Sequence, residues 1–137
     1  MLTRITGIAL AAIITASTVG TVEAHHSGAP SGSKCPQHYG AAIAAGWTPN
    51  EWRKLDSIMW RESRCKATAV NNNRRTRDAS RGLVQLNLLA HRSWIGPLVG
   101  WNFDNLYHPE TNLRVARALY EKCGWGPWTR PYWCRRP

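Results

Sequence analysis

Acidic side chains are scarce in this chain of 137 residues: 8 Asp plus Glu stand against 18 Lys plus Arg, a net charge of +10. Any chemistry that needs a carboxylate therefore falls to a handful of named residues. Phenylalanine is almost missing, 1 copy against 8 Trp, so tryptophan must fill much of any core. The 4 Cys include no Cys-x-x-Cys pair and no close Cys/His cluster, which excludes the common structural zinc sites. No metal or other cofactor is called for. Hydrophobic content of 43% argues against wholesale disorder, and the length has room for one domain.

One long apolar run is present, Ile5 to Val22, behind a short basic start at Arg4 and ahead of Val22-Glu23-Ala24. This is the layout of a signal peptide over residues 1–24, cut after Ala24. Its Ala, Thr and Gly make it a poor permanent span, so no membrane anchor is expected after the cut. Removing it takes Arg4 and Glu23 together and leaves the charge at +10. Residues 25–34 are rich in Gly, Ser and Pro and read as a flexible leader, with no partner for a metal at His25. A secreted, extracytoplasmic domain over residues 35–137 favours disulfides among Cys35, Cys65, Cys123 and Cys134.

The domain reads as mostly helical, α+β, with a small β element. Pro36 to Ala45 is a short Ala-rich helix closed by Gly46. A better-marked helix starts with Thr48 as cap, Pro49 at the first position and Glu51 three residues after the cap. Two helices joined by a short turn run antiparallel. That brings Cys35 near Cys65 and, of three possible connectivities, favours Cys35–Cys65 with Cys123–Cys134. The polar stretch Asn71 to Asp78 suits a hairpin tip. Gly82 to Asn87 alternates and reads as a short strand, leading into a helix over Leu88 to Ser93 that Gly96-Pro97 breaks. A last helix runs from Pro109 to Cys123, with Leu113, Ala116 and Tyr120 on one side and Gly124 closing it.

Glu62 is the carboxylate in an unexpected place. Trp52, Leu55, Ile58 and Met59 form one face of the second helix, and Glu62 continues it. There it points to the core or to a cleft floor, at the last turn. Burial and the negative helix end both disfavour the charged form. A carboxyl kept protonated is a proton donor for a leaving oxygen. Helix phase alone leaves this level with a structural reading, in which Glu62 pairs with Arg61, Arg64 or Arg81.

The surrounding residues resolve the balance. Glu62-Ser63-Arg64-Cys65, then Ala69 and Asn71, then Gly82-Leu83-Val84-Gln85-Leu86-Asn87 together resemble the lysozyme-like superfamily, which holds the animal lysozymes and the soluble lytic transglycosylases. Trp60 to Cys65, Pro109 to Leu113 and Gly124 to Trp128 are similar to motifs of secreted lysozyme-like domains of actinobacteria and their phages. The resemblance spans Cys35 to Trp128. It implies cleavage of the β-1,4 bond after N-acetylmuramic acid in peptidoglycan. It also implies that Glu62 is the catalytic acid and that Gln85 and Asn87 lie on the cleft floor, where their amides bind sugar or satisfy local backbone.

One position departs from the pattern. Where animal lysozymes carry a second Asp, two residues before the Gly of the strand motif, this chain has Ser80. Asp78, two residues further back on the same face, is a possible second carboxylate, with a turn cap beside Arg75 and Arg77 as the equal alternative. Transglycosylases work with one Glu and leave a 1,6-anhydro end, so Ser80 tilts the reading that way. Ser80 itself counts among the substrate-contacting positions.

Most of the aromatics Trp94, Trp101, Trp125, Trp128, Tyr132 and Trp133 are expected in the core, with Trp125 and Trp128 the candidates for sugar-stacking cleft walls. His91 and His108 read as capping or packing residues. The positive charge suits anionic wall polymers as well as glycan strands. Nucleic acid attracts the same charge at Arg74, Arg75 and Arg77, but export and disulfides argue against it. A monomer is expected. The competing reading is a catalytically inactive, cationic wall-binding protein of the same fold.

Overall fold

The computed structural model describes residues 28–129 and 134. The signal-peptide reading, His25, Tyr132 and Trp133 lie outside them.

Helix α1 (Tyr39–Ala44) follows a 3-10 turn at Pro36–His38, and α2 spans Pro49–Ser63. Pro49 sets the first helical φ, and Glu51 reaches back so that the Thr48 N–H and hydroxyl donate to it at 2.9 and 2.8 Å. Trp52, Leu55, Ile58 and Met59 bury their face of α2 almost completely. Arg64 in the left-handed region (φ 54) ends the helix, and Cys65 follows at φ 62.

Three short antiparallel strands follow: β1 (Val70–Asn73), β2 (Asp78–Arg81) and β3 (Leu86–Asn87), in that spatial order. Helix α3 is Leu88–Leu98, a 3-10 turn covers Phe103–Tyr107, α4 is Pro109–Cys123 and α5 is Gly126–Thr129. The fold is α+β, as the sequence suggests. Leu106, Leu113, Val115, Ala116 and Leu119 close the core from the α4 side. Trp47 and Trp52 are each 2% exposed, so tryptophan does supply bulk that phenylalanine would otherwise provide. The Trp47 indole donates to the Leu113 carbonyl at 2.9 Å.

Two local readings are corrected. Gly82 to Asn87 is not one strand: residues 82–85 form a turn and only Leu86–Asn87 pairs with β2. Leu83, Val84 and Leu86 are all buried, so the apparent alternation reports a turn wound into the core. Gly96-Pro97 does not stop α3, which runs on to Leu98. Proline there costs one donor in the final turn, and the bonds from Val99 N–H to the Ile95 and Gly96 carbonyls still close it.

Residues 28–34, read as leader, pack on α2. The Asp56 carboxylate, in a buried residue, accepts the Lys34 and Cys35 N–H groups, and the Trp52 indole donates to Ser33 Oγ. Disulfides join Cys35 to Cys65 and Cys123 to Cys134, with Cα separations of 5.4 and 5.8 Å.

Candidate active site

Glu62 stands one residue from the end of α2. That end is pinned two residues later by the Cys35–Cys65 disulfide and by the His38 ring on the Cys65 carbonyl at 2.9 Å. The side chain is 27% exposed, so of the two placements that helix phase allows, core or cleft, the apolar stripe of α2 delivers it to the cleft. Its partner is Arg61: Nε and Nη2 donate to Oε1 at 3.0 and 2.6 Å. The same Nη2 donates to the Trp128 carbonyl at 2.6 Å, which ties the end of α2 to α5. Arg64 lies over the Trp60 ring and Arg81 donates to Asn72, so neither pairs with Glu62.

The opposite wall comes from the sheet. Asn71, Ser80 and Asn87 are cross-strand partners in register, and partners in a ladder present their side chains on one face. Asp78 shares that face with Ser80. The Ser80 hydroxyl donates to one Asp78 oxygen and the Asn71 amide donates to the other at 2.8 Å. Asp78 is thus held by two donors within the sheet and does not cap the turn beside Arg75 and Arg77.

Between these walls is a cleft of about 540 Å³ bordered by Glu62, Asp78, Ser80, Gln85, Asn87 and Trp128. Gln85 sits at φ 53, and its amide donates to the Ala69 and Gly82 carbonyls at 3.2 and 2.9 Å. Asn87 caps α3 by accepting the Leu89 N–H at 2.9 Å. Both amides therefore serve local backbone while bordering the cleft. The Trp128 indole donates to the Val84 carbonyl at 3.0 Å and fixes that ring as a wall.

Trp125 does not border the cleft, which corrects the expectation for it. It stacks on Trp47 with centroids 5.4 Å apart and meets the tilted Tyr120 ring at 4.6 Å. Trp94 packs against the core and Trp101 lies 60% exposed. Among the described residues no group of three or more His, Cys, Asp or Glu is placed to hold a metal ion.

The family model described as lysozyme-like domain matches residues 39–130, from the start of α1 past the end of α5. The chain belongs to the lysozyme-like domain family. No match is found among curated proteins or among solved structures.

Two residues bordering this lysozyme-like domain's cleft, Asn71 and His91, have no site role in the sequence reading, and Arg61 is there one of three arginines offered as a partner for Glu62. Asn71, needed to hold Asp78, is visible only once the hairpin register pairs Asn73 with Asp78. Arg61 pairs with its immediate neighbour, a spacing at which helical side chains do not ordinarily face each other. His91, read as packing, also borders the cleft.

Proposed function

We propose that the protein cleaves peptidoglycan strands at the β-1,4 bond between N-acetylmuramic acid and N-acetylglucosamine. One observation carries this: in a lysozyme-like domain, Glu62 and Asp78 border the same cleft from α2 and the sheet. Protonated Glu62 gives its proton to the glycosidic oxygen as the C1–O bond breaks. Its carboxylate then takes a proton from the incoming oxygen, which bonds to C1. That oxygen is the 6-hydroxyl of the same muramic acid in transglycosylation, or water in hydrolysis. Asp78, oriented by Ser80 and Asn71, is the second carboxylate, and its negative charge offsets the positive charge developing at C1. Trp128, Gln85 and Asn87 bind the sugar chain.

This chemistry belongs outside the cytoplasm, where the wall is and where the two disulfides persist. The excess of basic residues suits anionic wall polymers as a secondary partner. Among the described residues no helix is long and apolar enough to cross a membrane.

Incubation with purified sacculi followed by mass spectrometry of the released muropeptides is the test. Anhydro ends identify transglycosylation and reducing ends identify hydrolysis. Glu62→Gln must abolish release while the fold is kept; unchanged turnover sinks the assignment.

A second reading, a non-catalytic wall-binding protein, is favoured by the occupied carboxylates. Arg61 holds Glu62 by two bonds, and both Asp78 oxygens accept from neighbours. No release by the wild type, with sacculus binding retained in Glu62→Gln, selects it.

A further inference from the structure

His91 is a buried polar side chain of α3 that the proposed reaction leaves unused. It shares the inward stripe of α3 with Leu88 and Ile95 and is only 8% exposed, yet it borders the cleft. Three residues on, the Trp94 indole N–H donates to His91 Nδ1 at 3.0 Å. An indole nitrogen only donates, so Nδ1 is the bare, accepting nitrogen of the ring. In a neutral imidazole the proton then sits on Nε2. Burial lowers the His91 pKa from its ordinary 6.5, so the neutral ring prevails at neutral pH.

Among the described residues His91 Nε2 has no protein partner, and no side-chain nitrogen or oxygen is buried without one. Nε2 is therefore the accessible polar atom of this ring. Val84, Leu86 and Leu119 add apolar surface to a cleft whose other bordering residues are mostly polar.

We infer that His91 Nε2–H donates to a neutral acceptor oxygen of the bound glycan, a sugar hydroxyl or an acetamido carbonyl, and so helps set glycan specificity. Trp94 acts through it as a positioning residue, fixing the tautomer. The inference rests on the glycan reading of the cleft given above.

The test uses full-length Glu62→Gln protein with 15N-labelled histidine and asparagine and labelled tryptophan side chains. Long-range 1H–15N spectra should show a bare Nδ1 and a protonated Nε2 for His91. Adding N-acetylglucosamine oligomers should shift Nε2 together with the Asn71 and Trp128 side-chain signals. A proton on Nδ1 overturns the inference. Asn71 and Trp128 moving while Nε2 stays still overturns it alone. None of the three moving overturns the glycan reading and this inference with it.

His91→Phe should weaken oligomer binding about tenfold, and His91→Gln, whose amide reaches the Nε2 position, should restore most of it. Equal loss in both variants means packing and overturns the donor role. Where Phe fails to fold, the spectra of the unsubstituted ring decide. With de-N-acetylated oligomers, a retained Nε2 shift supports the donor with a hydroxyl as acceptor. Its selective loss supports the donor with the acetamido carbonyl.

Discussion

Gly82 and Asn112 compete for one small volume: a β-carbon on Gly82 would fall on the Asn112 amide nitrogen and the Leu106 carbonyl. Asn112 is fully buried and ties the turn after β2 to the Phe103–Tyr107 turn by three bonds. It accepts the Val84 N–H at 3.2 Å and donates to the Arg81 and Leu106 carbonyls at 3.1 and 3.0 Å. Gly82 also sits at φ +77, where other residues are strained. Gly82→Ala should cost roughly 2–4 kcal/mol, combining overpacking with left-handed strain. Urea melts check this, and an unchanged midpoint would show that the turn is not held this way.

Trp128 has a wall role and an anchoring role that two substitutions separate. Trp128→Phe keeps a ring in the cleft but loses the bond to the Val84 carbonyl, at a cost of about 1 kcal/mol in stability. Trp128→Ala also removes the stacking face, and oligomer affinity should fall more than tenfold. Paired melts and binding titrations distinguish the two, and equal affinity for both variants contradicts the stacking role.

His91 gives the fold an acid sensitivity. The unfolded chain holds the ring near its ordinary pKa of 6.5, while burial lowers it in the folded state. Between the two values the unfolded chain binds more proton, so stability is complete above 6.5 and lost as pH falls through the folded value. His91→Phe should flatten the pH dependence of unfolding free energy as pH falls below the ordinary 6.5. The slope removed is at most about 1.4 kcal/mol per pH unit.

The Cys35–Cys65 bond closes a 30-residue separation around the start of the domain and the end of α2. Replacing both cysteines with serine should cost roughly 3–4 kcal/mol by the loop-closure account. Because Glu62 is three residues from Cys65, activity on sacculi should fall faster on warming than in the parent. Thermal melts run beside activity assays test this coupling.

Much of α2 was legible because its signals are local: cap, proline, acidic third residue, apolar stripe. The same stripe pointed to Glu62, although it ends in a partly exposed wall where Arg61, not a dry pocket, meets the carboxylate. The ends of α4 at Pro109 and Gly124 were equally plain. The turn at residues 82–85 was not, because its bonds come from Asn112, 28 residues beyond Val84. Trp125 and Trp128 share a motif and a composition, but only tertiary packing sends one to the Trp47 stack and the other to the cleft. His91 looked like packing because its ring is mostly buried. Its free nitrogen is recognised only from the Trp94 bond.

Arg61 joins two residues that border the cleft, bonded to Glu62 on α2 and to the Trp128 carbonyl on α5. Its side chain is 53% exposed, so added salt screens its charge directly. The junction of α2 with α5 therefore depends on one guanidinium whose pairing with Glu62 weakens as salt is added. An uncharged oligosaccharide, which makes no ionic contact of its own, should then bind with an affinity that depends on the salt in the buffer.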